Sequence, residues 1–441
     1  MPNSMDDFNI DGTPKRALTA ATIGFFFGAA AVALLSPAAT RFQSAMDLST
    51  TQTGFLVSAP VLLGSLLRIP FGAWCDKNGG RKPFLILLGL SIIGMAGFTT
   101  LLVLYYPDRM DASLYPAFFV FAALSGCGIG VFSVGVSQTS FWYPNDEQGF
   151  ALGVYGGVGN IAPGIFTFLI PILFATFGFT GSYIAWFGLL LVGVAAYYVL
   201  SADAWYFQLQ RQGLDEAVAR ERAREAGQEI FPEGTPLEGL IKSAKIWKTW
   251  ALVGGYFFTF GGFLALVTWL PTYYQQYLGV GAQTAGGLVG VFTIFGSLIR
   301  VPAGSIADNI GGEETAAISM GIVLAGSLLL AFIQSVPLAF FGTLVVGAGM
   351  GINNAALFQK VPEEIPEAVS GASGWIGGLG AFGGFVLPPI FGTIVELMGP
   401  VGYARGFLLY GLLAAIGLGS VYTLYRSDSR VETEESQPVG S

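Results

Sequence analysis

Twelve apolar runs, each long enough to cross a bilayer as a helix, leave this chain few folds to choose from. They fall at about 17–37, 53–74, 83–105, 115–138, 150–176, 180–200, 249–273, 285–307, 315–334, 336–357, 370–395 and 402–425. A helical span needs about 20 residues to cross the hydrocarbon. Lipid offers no partner to a backbone N–H or C=O, so runs of this kind must satisfy their own hydrogen bonds as helices. Composition agrees, because only 11% of the residues are charged and 53% are hydrophobic, against about 25% charged in soluble domains. The expected fold is all-α and integral to the membrane, with twelve transmembrane helices.

One long polar segment, 201–248, divides these spans six and six. The layout expected is a tail at 1–16, a six-helix unit at 17–200, a linker at 201–248, a second six-helix unit at 249–425 and a tail at 426–441. The linker stretch DEAVARERAREAGQE, at 215–229, is charged and amphipathic, and predicts a surface helix. The first apolar run follows a polar, acidic tail and reads as a retained span, not a cleaved leader. Of the 20 lysines and arginines, 15 fall on the side that both termini and the linker share, and only Arg41, Arg109 and Arg405 on the other. That bias places both termini and the linker in the cytoplasm and the chain in the cell membrane.

The two halves repeat each other. GSLLRIPFGAWCDKNGG at 64–80 aligns without gaps on GSLIRVPAGSIADNIGG at 296–312, with nine of 17 positions identical. GCGIG at 126–130 echoes GAGMG at 347–351, and GGVG at 156–159 echoes GGLG at 377–380. Two parallel six-helix repeats predict a binding site near the membrane midplane, where the halves meet.

The remaining two cations, Arg68 and Arg300, occupy equivalent places inside spans two and eight. An arginine at a span's centre costs about 2.5–3.5 kcal/mol on insertion scales. A packing ion pair could offset that cost, but no aspartate or glutamate lies mid-span; Asp76, Asp308 and Glu396 sit near span ends. Two permanent cations without internal counter-charges point to an anionic ligand. The guanidinium fork suits a small planar oxyanion, which two forks from two halves could clamp.

Other classes of chemistry are poorly served. There is no histidine, which removes histidine relays, histidine metal sites and Ser-His-Asp catalysis. Cys75 and Cys127 have neither disulfide-framework nor metal spacing. No catalytic residue, cofactor or metal is expected. A net charge of −8 argues against nucleic acid. The expected partners are the lipid bilayer and a small inorganic anion.

Spans five and eleven are rich in glycine. Gly156, Gly157 and Gly159 in the first, and Gly377, Gly378 and Gly380 in the second, predict close helix contacts or bending points. Asn160 is a polar amide among glycines, able to donate to an oxyanion. Tyr256 and Phe260, in GGYFFTFGGF, lie one turn apart on span seven, where a buried hydroxyl needs a partner. Lys360 and Glu363 sit at the end of span ten, the former more simply read as a snorkelling lysine than as a coupling group.

With these residues the chain resembles the nitrate/nitrite porter family of the major facilitator superfamily. The superfamily's loop motif between spans two and three resembles GAWCDKNGGRK at 72–82, with Asp76 and Arg81 as its gating residues. The family's two signature stretches look like ALGVYGGVGN in span five and GWIGGLGAFGGFVLP in span eleven. The resemblance implies that Arg68 and Arg300 clamp the substrate, joined by Asn160, Tyr256 and Phe260. In the second half the loop reads ADNIGGEE, with acids where the first half carries bases. The resemblance also implies alternating-access transport of nitrate, with nitrite as a further substrate, by a functional monomer. Nitrate/nitrite exchange and proton–nitrate symport both stay open. Formate, cyanate or a monocarboxylate is the alternative substrate, and protons could enter through Lys360, Glu363 or Glu364.

Overall fold

The computed structural model describes residues 8–232, 236–300, 302–303, 310–365 and 368–418. The tail at 426–441, the loop 304–309 with Asp308, and the side chains of Asp76 and Glu363 lie outside the described residues. Among the described residues every regular element is helical. Nine helical stretches are long and apolar enough to cross a membrane. One of them, Asn145–Leu200, holds two spans, because Gly178 takes φ +69° between them, a conformation glycine adopts without penalty. The shorter apolar helices Ala282–Leu298 and Phe407–Leu418 complete the set of twelve.

Local sequence sets where the helices begin. Thr13 caps the first helix by accepting from the Arg16 N–H, with Pro14 in its first turn. Ser49 and Gln52 form a reciprocal capping box at the start of span two. One glycine of the repeated loop takes the same positive φ in both halves: +82° at Gly79 and +95° at its counterpart Gly311.

The spans differ in straightness. Span three, Arg81–Tyr105, and span nine, Gly312–Phe332, are single helices. Span two breaks between Thr50–Leu66 and Arg68–Asn78. Span four passes through a tight turn at Gly126–Gly130. Span five breaks after Gln148–Asn160 and span eleven after Val369–Ala381. Span seven, between Trp247 and Tyr277, carries two π-helical turns, Phe257–Gly261 and Tyr273–Tyr277.

The apolar interior divides as the repeat does. One cluster is built from first-half residues such as Phe42, Phe98, Trp142, Tyr155 and Tyr183. The other is built mainly from the second half, around Trp269, Tyr273, Phe292 and Tyr410, and takes in Val61 and Ile129 of the first. Ile93, Val192, Val199, Phe332 and Leu412 are exposed on the outside, as residues facing lipid tails must be. The linker is shared between the halves. Its helix Glu216–Glu225 forms where the charged stretch predicts one and buries Ala219 and Ala223 against the first-half core. Its last helix, Pro236–Ala244, lies on span eleven, where the Trp375 indole donates to the Leu240 carbonyl at 3.0 Å.

Backbones approach closely where spans two and four cross. A Cβ at Gly126 would lie 1.7 Å from the Pro60 carbonyl oxygen. Gly126→Val is therefore expected to destabilise the protein by about 1–3 kcal/mol or more through overpacking. A lowered midpoint of thermal unfolding in detergent checks this, and a midpoint matching the parent would refute the crossing.

Candidate substrate site

Each arginine starts the second segment of a broken helix. The span-two helix ends at Leu66, turns at Leu67 and resumes at Arg68; the span-eight helix ends at Leu298 and turns at Ile299, directly before Arg300. Both breaks follow from a proline two residues after the arginine. Pro70 has no N–H for the Leu66 carbonyl, and Pro302 has none for the Leu298 carbonyl. The repeat thus reproduces a backbone break as well as a charge.

The two guanidinium groups meet on one ring. The Arg68 Cζ lies 5.4 Å from the centre of the Phe260 ring, and the Arg300 Cζ 5.0 Å from it. Phe260 stacks on Tyr256 with ring centres 4.9 Å apart and planes inclined by 22°. It sits in the π-helical turn Phe257–Gly261, a distortion often found at functional sites. Cation–π attraction is worth about 0.5–2 kcal/mol per contact, which offsets part of the cost of holding two like charges together.

The remaining contacts are unequal. Arg68 is buried, with 1% of its surface exposed; its Nη1 donates to the Gly377 carbonyl at 3.1 Å, and its Cζ lies 4.9 Å from the Phe132 ring centre. Arg300 is half-buried, and its Nη2 donates to the Tyr256 hydroxyl at 3.5 Å. Among the described residues neither arginine makes an ion pair, and the Arg68 Nε has no hydrogen-bond partner. A buried donor without a partner costs about 1–3 kcal/mol. A planar oxyanion would satisfy it.

The glycines divide by role. In span eleven, Gly377 lends its carbonyl to Arg68; a Cβ at Gly378 would lie 2.5 Å from Ile69, and one at Gly380 would lie 2.6 Å from the Tyr256 ring. That span therefore packs against the elements carrying Arg68 and Tyr256. In span five, a Cβ at Gly159 would lie 1.9 Å from Phe25, whereas Gly156 has only Phe132 at 3.8 Å and Gly157 has nothing within 4 Å. Asn160 closes its helix segment with its amide turned inward, donating from Nδ2 to the Gly156 carbonyl at 2.8 Å. Its own carbonyl accepts from Ser297 at 3.3 Å, one turn before Arg300. Asn160 thus stands beside the second arginine's helix, with its donor held by span five.

Lys360 does not join the arginines. It lies 3.6 Å from Glu364 in an ion-pair group with Lys248, at the linker end of span ten. Arg81 anchors the loop after span two, donating to Ser201 at 3.2 Å and to the Tyr198 carbonyl at 3.0 Å. Asp76 lies in the helix Arg68–Asn78.

Two features of the site escape the sequence reading. Phe132 carries the second aromatic face for Arg68, two residues after the glycine echo at 126–130. Thr259, in the π-turn, donates to the Asn354 side-chain oxygen at 2.7 Å, both groups buried. The mid-span pair Asn353–Asn354, just after the second glycine echo, was the visible signal for it.

The halves touch tightly on the face opposite the linker. There Glu396 accepts from the Thr51 N–H at 2.7 Å, the Thr51 and Thr393 hydroxyls lie 3.1 Å apart, and a Cβ at Gly54 would lie 2.6 Å from the Pro388 carbonyl oxygen. Glu396 also suits the positive end of the span-two helix.

Comparison with known proteins places this architecture. Residues 21–388 match the sequence profile of the Major Facilitator Superfamily. The chain belongs to the Major Facilitator Superfamily. Among curated superfamily relatives, the probable nitrate/nitrite antiporter NarK1 of Thermus thermophilus is 29% identical over 403 residues, covering 85% of this chain and 84% of its own. The probable nitrate/nitrite transporter NarK2 of Mycobacterium tuberculosis is 29% identical over 415 residues, covering 92% and 94%. The nitrite extrusion protein of Bacillus subtilis is 26% identical over 393 residues, covering 89% and 90%. The partially occluded, inward-open xylose transporter XylE of E. coli superposes with a TM-score of 0.71 at 14% identity, covering 93% of this chain and 97% of that one. At that identity it shows a shared fold.

The opposite-face seam yields an expected outcome. A disulfide spans about 2 Å between sulfurs, so Thr51→Cys combined with Thr393→Cys should cross-link on mild oxidation with little backbone movement. Cleavage between the halves, in the linker, followed by gel electrophoresis checks it: the fragments stay joined until reduced. Separate fragments under oxidation would mean that this seam is not formed.

Proposed function

We propose that this chain carries nitrate across the cell membrane by alternating access, in exchange for nitrite. The observation that carries the reading is the pair of permanent cations, Arg68 and Arg300, on one phenylalanine with no carboxylate partner among the described residues. A small, flat, monovalent oxyanion fits two planar forks. The names of the relatives, nitrate/nitrite antiporter and nitrite extrusion protein among them, support this anion over formate or cyanate. Arg68 and Arg300 bind the anion's oxygens, Tyr256 orients Arg300, Phe260 forms the wall, and Asn160 donates once its amide turns from Gly156. One chain supplies both arginines, which supports a functional monomer. The lysine and arginine bias supports cytoplasmic termini and linker.

Exchange follows from the same charges. To return empty, the carrier would have to close around two unneutralised cations, each carrying a desolvation penalty of several kcal/mol. A bound anion removes part of that cost on both strokes. A chain without histidine or a mid-span acid also lacks the common proton carriers.

Uptake of labelled nitrate into proteoliposomes tests the reading. Internal nitrite should accelerate uptake strongly, and a pH gradient alone should not. No nitrate movement under any condition would sink the substrate, and stimulation by the gradient alone would replace exchange with symport. Arg68→Lys and Arg300→Lys should each lower uptake at least tenfold, equivalent to about 1.4 kcal/mol, because lysine loses the fork. Either variant with parental uptake would refute the clamp.

A further inference from the structure

On the linker face, apart from the arginine pair, a cavity of about 690 Å³ opens between the end of span two, the start of span three and the first linker helix, Trp205–Arg211. Arg81, Lys82 and Arg211 line it with three positive charges. Among the described residues its one carboxylate is Asp203, which is already engaged: it accepts from Arg211 at 2.6 Å and from the Arg81 N–H at 2.8 Å. Among the described residues the Arg81 guanidinium donates to neutral oxygens, those of Ser201 and Tyr198, and lies 5.4 Å from the Tyr198 ring centre. Lys82 is exposed, with its ammonium 5.9 Å from the Trp74 ring centre. Counted over the described residues, the cavity therefore presents a net positive charge to whatever enters.

Its other wall is apolar. Trp74, Leu85 and Ile86 line it, and tryptophan is enriched where a membrane meets water. From there a track continues along span three. Lys82, Ile86, Gly89 and Ile93 share one face by helical spacing. A Cβ at Gly89 would meet nothing within 4 Å, and Ile93 is exposed. From Lys82 to Ile93 the helix rises about 16 Å, close to the hydrocarbon depth of one leaflet, roughly 15 Å. A cluster of cations opening onto an exposed apolar helix face of this length matches a molecule with an anionic head and a long tail.

We propose that this cavity binds an anionic phospholipid, its phosphate among Arg81, Lys82 and Arg211 and one acyl chain along Ile86, Gly89 and Ile93. Inorganic phosphate would satisfy the cations and leave the track unused. A bound lipid would fasten the loop after span two to the first linker helix.

Native mass spectrometry of the full-length protein, titrated with phosphatidylglycerol or with phosphatidylcholine of the same acyl chains, tests the proposal. Phosphatidylglycerol should bind about fivefold more tightly or better, the scale of one surface cation near an anionic lipid. Lys82→Glu should abolish the preference. Lys245→Glu, an exposed linker-face change outside the cavity, should preserve it. Gly89→Phe should weaken phosphatidylglycerol binding at least threefold by filling the track, and it tests the site even if Lys82→Glu fails to fold. Equal affinity for the two lipids, or equal losses in Lys82→Glu and Lys245→Glu, would overturn the proposal. Displacement by millimolar inorganic phosphate together with an unaffected Gly89→Phe would reassign the cavity to free phosphate.

Discussion

Two permanent positive charges held on one aromatic ring inside a bilayer set the terms for the surrounding structure. Neither charge can be shed, because a guanidinium keeps its proton, and lipid offers nothing to solvate it. The protein's own answer is partial: ring faces from Phe132 and Phe260, one backbone carbonyl from Gly377 and one hydroxyl from Tyr256. The local distortions serve that answer. Proline breaks put both arginines at the start of helix segments, the π-turn carries Phe260, and glycines let span eleven approach closely enough for a carbonyl to reach Arg68.

The repeat supplies the symmetry and the site departs from it. Arg68 and Arg300 occupy matching positions after matching breaks. Yet one is buried against a carbonyl and two rings, while the other is half-buried against a phenol. The cause is that Tyr256 and Phe260 belong to the second half alone: Phe260 serves both arginines, whereas the Tyr256 hydroxyl serves Arg300. An anion between the forks would therefore sit in an asymmetric pocket inside a pseudo-symmetric fold.

Movement is built into how the interior is divided. One apolar cluster is built from the first half and the other mainly from the second, with Val61 and Ile129 of the first, and the linker is split between them, its early helices on the first half and Pro236–Ala244 on span eleven of the second. Where the halves meet opposite the linker, the contacts include glycine against backbone, a pair of threonine hydroxyls and one carboxylate on a helix start. The Phe385 ring also meets Phe55 and Phe119 of the first half there, at 5.9 and 6.4 Å between ring centres. The divided interior suits two bodies that rock about a site between them.

Much of this protein was determined by its sequence alone. Apolar run length dictated helices, the linker and internal repeat dictated two sets of six, and the absence of mid-span acids made Arg68 and Arg300 an argument for an anion. Tyr256 was legible because a hydroxyl in an apolar span needs a partner, and Phe260 through its one-turn spacing from Tyr256 and the family resemblance. Only the tertiary structure decided that both arginines share Phe260, that Phe132 and the Gly377 carbonyl complete the surroundings of Arg68, and that the Asn160 amide faces its own helix. Those contacts join residues from different spans, as Arg68 and Gly377 do at a separation of 309 positions. Periodicity and composition describe one helix at a time; which faces meet depends on packing among all of them.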